Sequence, residues 1–257
     1  MESFQADVLR DYFSEAYTGR NLIISAVGNL EHDRVRDLVN EKFGSLATTG
    51  EPTRESAPTV VPKVLVRNKE LEQSHLCIGV SSYPQNHHDR YASYVLNTLL
   101  GGSMSSRLFQ NVREKRGLAY AVFSGLSAYR DAGSFTIYAG CSNEAVGEVL
   151  DLVVEELRGV KLTAVPDAEL RRSKDHLKGS LMLSLESTAS RMSHIARQEI
   201  YFDRQFGLDE TLQGIEQVTA ADIQRVAADL FRNGSLAATV LGNVNGLQIP
   251  QQRLDLD

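Results

Sequence analysis

The sequence is poor in cysteine. Its 257 residues hold two, Cys77 and Cys141, too few for a disulfide framework. Cys77 stands in the apolar run "LCIGV" and reads as a small buried hydrophobe rather than a redox group. No run of about 18 apolar residues occurs, so no helical membrane span is expected. Positive charge is not in excess: 27 basic residues face 33 acidic ones, for a net charge of −6. That argues against broad nucleic-acid binding, which needs a basic surface to displace counterions. The N-terminus "MESFQADVLRDYF" is acidic and amphipathic, unlike a secretory signal. If Met1 is the natural start, the cytoplasm is favoured; a fragment of a longer chain is compatible with the periplasm. What is present, 42% hydrophobic and 23% charged residues, predicts a packed core in one large domain or two small ones.

Several catalytic signatures are missing too. "GGSM" at 101–104 has no following Lys and fails the spacing of a phosphate loop. Among His32, His75, His87, His88, His176 and His194, no pair sits at i, i+4 around a Glu. His87 and His88 are adjacent and would diverge on a helix, so they read as solvated or capping residues. No Gly-x-Ser-x-Gly elbow occurs.

The chain predicts alternating helices and strands. "VLRDYFSEAY" is a short helix, "NLIISAVGN" a buried strand, and "EHDRVRDLVNEKF" a helix with Val35, Leu38 and Val39 on one face. Residues 47–62 hold three of the six prolines and no periodicity, a linker signature. "KVLVRN" and "SHLCIGVSSY" read as strands and "DRYASYVLNTLL" as a helix. "AYAVFSGLSAY" and "GSFTIYAGC" form a hairpin across "RDAG". Residues 144–158 carry an apolar helix stripe, and a helical hairpin spans 166–203, with Pro166 near its start. "TAAD" at 219–222 resembles a capping box, and "SLAATVLGN" is a last strand. "NLIISAVGNL" (21–30) and "SLAATVLGNV" (235–244) echo one another. Each follows a V-x-x-D-[YL]-F helix end, at Val8–Phe13 and Val226–Phe231, which suggests a duplicated unit.

The remaining chemistry lies in "LLGGSMSSRLFQNVREKRGLAY" (99–120). Ser103, Ser105 and Ser106 suit a helix N-cap, Gly117 suits the helix end, and "LAYAVFSG" suits a following strand. Arg113 then stands one turn before the helix end and Tyr120 early on the strand. A guanidinium fork and a phenol on one surface suit peptide carbonyls or a developing oxyanion. The alternative is an ordinary surface arginine beside a core tyrosine, and spacing by itself favours that alternative.

"LGGSMSSRLFQNVREKRGLAYAVFSG" resembles the hallmark of the pitrilysin/insulinase family of zinc metallopeptidases, in its bacterial processing-peptidase-like branch. "YTGRNLIISAVGNLEHDRVRDLVNEKFGSL" is similar to the end of that family's first domain, and residues from about Pro62 to Gly246 to its second. The resemblance implies an α+β fold, a mainly antiparallel sheet covered on one face by helices. It implies residues 1–46 as the incomplete tail of a zinc-domain-like unit, a linker at 47–62, a complete metal-free domain at 63–246 and a C-terminal tail at 247–257. The family's first domain carries H-x-x-E-H, whose two His bind zinc and whose Glu is the general base. That motif occurs nowhere in this sequence, so no metal ligand is assigned and zinc is expected in a missing or partner domain. The resemblance makes Arg113 and Tyr120 the catalytic pair that contacts substrate and stabilises the tetrahedral intermediate, with Gly101, Gly102 and Ser103 as further substrate-binding residues. The chain by itself would be inactive. Its expected partners are a peptide or unfolded polypeptide and a zinc-bearing domain or subunit of the family, with a dimer expected. A non-proteolytic scaffold subunit, like the core proteins of respiratory complexes, and a peptide-binding module remain the alternatives.

Overall fold

Alternation of apolar and polar residues builds one five-stranded sheet. Its strands are β1 (Val64–Asn68), β2 (Ser74–Ser82), β3 (Ala119–Ala128), β4 (Gly133–Cys141) and β5 (Ala237–Gly242), in the order β1-β5-β2-β4-β3. β1 and β5 pair in parallel, and every other neighbouring pair is antiparallel. The helices are α1 (Ala6–Ala16), α2 (His32–Phe43), α3 (Arg90–Leu100), α4 (Val146–Leu162), α5 (Asp167–Ser184), α6 (Thr188–Phe202), α7 (Leu208–Glu216) and α8 (Ala220–Leu230). This computed structural model describes residues 4–46, 48 and 56–257. Of the linker read over 47–62, residues 47 and 49–55 lie outside the described residues. Residues 56–62 are exposed and form neither helix nor strand.

The chain divides into two compact units. The larger, residues 57–181 and 206–257, holds the sheet. Leu76, Ile78, Val80, Val122, Phe135, Ile137, Ala139, Ala238 and Val240 line its covered face and are buried. α3, α4 and α8 pack on them, with Val95, Leu99, Val149, Leu150, Val153, Leu157, Ile223 and Val226 buried in turn. Each fully buried Leu, Ile or Val contributes about 1.5–3 kcal/mol. The α+β layering expected from the sequence is therefore observed.

Local signals hold where neighbours agree with them. Thr219 Oγ1 accepts from the Asp222 N–H at 3.1 Å, and the Asp222 carboxylate accepts from the Thr219 N–H at 3.0 Å. This closes the capping box at the start of α8. The β3–β4 turn is closed by Tyr129 N–H on Ala132 O at 2.7 Å. Residues 247–257, read as a tail, fold into the same unit: Ile249, Leu254 and Leu256 are buried, and Arg253 forks onto Asp151 at 2.7 and 2.8 Å.

Cys77 corrects a sequence expectation. The run "LCIGV" is a half-covered strand, so Leu76 and Ile78 face the helices while Cys77 lies exposed on the open face. An antiparallel sheet can leave one face to water, and composition does not say which residues it takes.

The smaller unit holds residues 1–56 and 182–205. Its described residues contain α1, α2 and α6 and no strand. The expected strand at 21–29 does not form: Asn21 ends a short 3-10 turn and residues 22–29 are neither helix nor strand, held in part by Ser25 Oγ on Met192 O at 3.0 Å. Ile23, Ile24, Leu30, Val35, Val39 and Ile195 line a groove of about 430 Å³ there.

Candidate functional site

The site segment begins at a constriction. α3 ends at Gly101, whose carbonyl accepts from the Ser124 N–H of β3 at 3.2 Å. A Cβ on Gly101 would lie 2.4 Å from that nitrogen, so no larger residue fits. Gly102 is exposed, and a Cβ there would meet Thr98 Cα at 2.9 Å. Ser103 Oγ reaches Thr98 O at 3.4 Å and Ser105 Oγ at 3.2 Å. Gly101 is buried and shapes the loop; of the three loop residues expected at a substrate surface, Gly102 presents exposed backbone and Ser103 is half-buried. No serine side chain caps the helix that follows; Ser106 takes part through its carbonyl, which accepts from Gln110 N–H at 2.9 Å.

That helix is not an α-helix. Residues Phe109–Glu114 form a π-helix, with Lys115 N–H bonded to Gln110 O at 3.0 Å, five residues back. At its end Gly117 adopts φ +63°, its N–H bonds Arg113 O, and the Leu118 N–H bonds Val112 O. This nested pair is one residue wider than the usual glycine-ended helix stop. Isolated π turns are rare and concentrate at functional sites. A polar clamp holds this one: Arg107 forks onto Glu169 at 2.7 and 2.9 Å, and Asn111 donates to Glu156. The Glu169 carboxylate raises the pKa of Arg107, keeping it charged despite partial burial.

Arg113 and Tyr120 stand at the two ends of this turn. Val112 and Ala119 beside them are buried and anchor the backbone. Arg113 is exposed, with its guanidinium carbon 4.8 Å from the centre of the Phe109 ring, a cation–π contact that restricts the fork without using its donors. Tyr120 is the extra residue of a β-bulge: Ala119 pairs with Cys141 and Ala121 with Gly140, leaving Tyr120 between them. The bulge breaks strand alternation, so Tyr120 and Ala121 are both exposed, Tyr120 at 69%. Bulges re-aim side chains in this way at sheet edges. Neither the Arg113 nor the Tyr120 side chain has a hydrogen bond or ion pair among the described residues.

The family model of the peptidase M16 inactive domain matches residues 3–177. The chain belongs to the peptidase M16 inactive-domain family. An uncharacterized zinc protease of Bacillus subtilis, YmxG, is 40% identical over 231 residues, 90% of this chain and 56% of its own length. A Streptomyces coelicolor protein, also named an uncharacterized zinc protease, is 35% identical over 239 residues, covering 90% and 52%. The chain thus spans just over half the length of these curated relatives. Among solved structures, an M16 inactive domain from Pseudomonas fluorescens matches with TM-score 0.83 at 21% identity, over 96% of this chain and 60% of that one. A Helicobacter pylori protease matches at 0.81 and 24%, over 93% and 60%.

Among the described residues, the zinc that the relatives' names imply has no fitting ligand set. Among the described residues, His87, His88 and Asp89 alone bring three potential ligand atoms together, within 4.8 Å. They lie in the turn before α3 rather than on a helix, so the two adjacent rings come together, centroids 4.2 Å apart. Yet Asp89 is spent on Arg225, which forks onto it at 2.6 and 2.7 Å, and His87 Nδ1 accepts the Asp89 N–H at 3.1 Å. Arg225 holds the Asp89 carboxyl below its ordinary range, while burial lowers His87. A guanidinium at the carboxylate opposes a divalent cation, and the cluster ties α3 to α8 instead.

The open face of the sheet carries residues that no sequence motif marks. Register sets Thr239, Cys77, Tyr138 and Phe123 in one row across β5, β2, β4 and β3. His75 Nδ1 lies 2.7 Å from the Tyr138 hydroxyl, and the rings of Phe123 and Tyr138 are 5.1 Å apart. The signal was the alternation in "SHLCIGV" and "SFTIYAG", whose second set of residues needed a face of its own.

Proposed function

We propose that this chain is the substrate-binding, metal-free half of an M16-type zinc endopeptidase. It acts on a peptide or unfolded polypeptide with a zinc-bearing domain or subunit of the same family. The observation that carries this reading is the state of Arg113 and Tyr120: exposed, without internal partners, and yet oriented by a ring contact, a clamped π turn and a bulge. Such groups are prepared for a ligand. Tyr120 donates its O–H to the oxyanion as the scissile carbonyl becomes tetrahedral. The planar Arg113 fork holds a neighbouring substrate carbonyl. A zinc held by the partner half would supply the activated water, and the chain by itself would be inactive because H-x-x-E-H is absent from it.

In the same reading, residues 1–46 are the tail of the zinc-domain-like unit, 47–62 the linker and 63–246 the complete substrate-binding domain, with 247–257 its tail. The echo between 21–30 and 235–244 supports it. β5 is flanked by β1 and β2, while its counterpart has no ladder and an open apolar groove beside it.

A second reading, a scaffold subunit without proteolysis, draws on fold similarity. A chain of complex III2 from Candida albicans matches with TM-score 0.76 at 18% identity, over 88% of this chain and 56% of that one. The two readings separate in the enzyme carrying both halves. Tyr120→Phe is expected to lower kcat by about 10²–10³ with unchanged folding stability. Arg113→Lys is expected to raise KM and lower kcat, because an ammonium cannot reproduce the planar fork. Cleavage at the parental rate in both variants removes the catalytic role of the pair, and absence of cleavage by the parent carrying both halves gives the scaffold reading.

A further inference from the structure

Two glycines within the strands, one central and one on the edge strand β3, have no internal reason to be glycines. Gly79 on β2 and Gly125 on β3 lie in one row with Ala237 and Thr136, next to the row of Cys77, Tyr138 and Phe123. A Cβ on either would make only ordinary contacts, 3.8 Å from Thr136, and neither has a positive φ. Glycine weakens a strand by roughly 0.5–1 kcal/mol relative to alanine. In a strand interior it often marks close approach by a ligand or another backbone.

The neighbouring aromatic row leans the other way. The Tyr138 hydroxyl lies 3.1 Å from where a Gly140 Cβ would be, and bonds His75 on that same side. The open face therefore carries a shallow trough along the row of Gly79, Thr136 and Gly125, bordered on one side by Phe123 and Tyr138. The row spans two strand spacings, about 10 Å; Thr136 stands between the glycines, its Oγ1 on Gly125 O at 3.4 Å, and the space above each glycine is open to an incoming side chain. Phe123 and Gly125 lie about 10 and 16 Å along β3 from Tyr120, at about 3.3 Å per residue. That is three to five residues of an extended peptide running beside β3.

We infer that this trough is a side-chain subsite, and that it selects peptides with an aromatic or large apolar residue three to five positions from the carbonyl held at Tyr120. The inference rests on the peptide-binding reading above and adds a specificity to it. The occupant is a transient peptide rather than a permanent subunit. The trough is continuous with Tyr120 on one strand, and Thr136, Thr239, Ser81 and Ser127 make the face too rich in hydroxyls for the apolar core of an obligate interface.

Cys77 is a built-in reporter. It is exposed in the aromatic row, while Cys141 is buried with its thiol pushed up to about 11 and stays silent. The probe is a set of synthetic nonapeptides identical except for Phe or Ser at one position, and the readout is the rate at which iodoacetamide modifies Cys77 in the intact chain. The Phe peptide is expected to protect Cys77 at roughly tenfold lower concentration than the Ser peptide. Phe123→Ala and Gly79→Val, which remove the bordering ring and fill the space above the glycine, should each erase that preference. Arg113→Ala should weaken both peptides equally. Equal protection by Phe and Ser peptides overturns the subsite but leaves the Arg113–Tyr120 reading standing if Arg113→Ala weakens both. No protection by either peptide overturns the subsite, as does protection that rises with protein concentration alone, which assigns the face to a second copy. Should the Phe preference hold while Tyr120→Phe and Arg113→Lys leave cleavage intact in the complete enzyme, the subsite stands and the catalytic reading falls.

Discussion

"NLIISAVGNL" and "SLAATVLGNV" share a pattern and meet different fates. The second becomes β5, with β1 on one side and β2 on the other, and Ala238, Val240 and Gly242 turned into the core. The first, more apolar by eye, forms no ladder; Ile23 and Ile24 are 45% and 43% exposed. A strand is a relation rather than a local conformation. Its backbone groups are satisfied by neighbours, and an extended segment without them gains little over solvated chain.

The sharpest way to break the comparison is to place a charge at the matched position of each segment. Val240 is fully buried, and Ala26, its counterpart, is exposed. Val240→Asp buries an unpaired carboxylate and is expected to cost at least about 3 kcal/mol. Ala26→Asp should stay within about 0.5 kcal/mol. Urea midpoints measured on the chain by itself decide it. An equal loss at both sites would mean that 21–30 is already packed as a strand.

A smaller effect separates glycines that the fold requires from those it does not. A Cβ on Gly242 would lie 2.0 Å from Ser74 Oγ, which also bonds Asn143 at 2.6 Å. Gly242→Ala is expected to destabilise by about 1–3 kcal/mol. Gly79→Ala should be neutral or stabilise by up to about 1 kcal/mol. Thermal melts of the two variants order the pair, and a large loss at Gly79 would remove the argument that its smallness serves a ligand.

The smallest expected effect is electrostatic. Asp89 is buried and held below its ordinary pKa by Arg225. A carboxylate with a depressed folded pKa stabilises the fold above its unfolded value, near 4, and that contribution is lost as pH falls through the folded value. Asp89→Asn should therefore destabilise at pH 6 and converge with the parent in acid. The smaller unit's pairs, Arg10–Asp7 and Arg36–Asp33, are solvent-exposed, so Asp33→Asn should change stability at pH 6 by less than about 0.5 kcal/mol.

The sequence alone determined the elements whose signals are local. The capping box at Thr219, the β3–β4 hairpin, the apolar stripe of α4 and the long motif around Arg113 and Tyr120 were all legible, because each depends on residues within a few positions of one another. Tertiary structure decided the rest. The helix after Ser106 is a π-helix whose Leu108 and Val112 are buried and whose Arg107 is held by Glu169, a partner 62 residues away in sequence. The bulge at Tyr120 arose from register with β4, and Cys77 reached the open face because helices covered the other one. His87 and His88 came together in a turn, which helical spacing could not anticipate. Residues 21–29 carried every local mark of a strand and lacked only partners, and partners are what a linear sequence does not display.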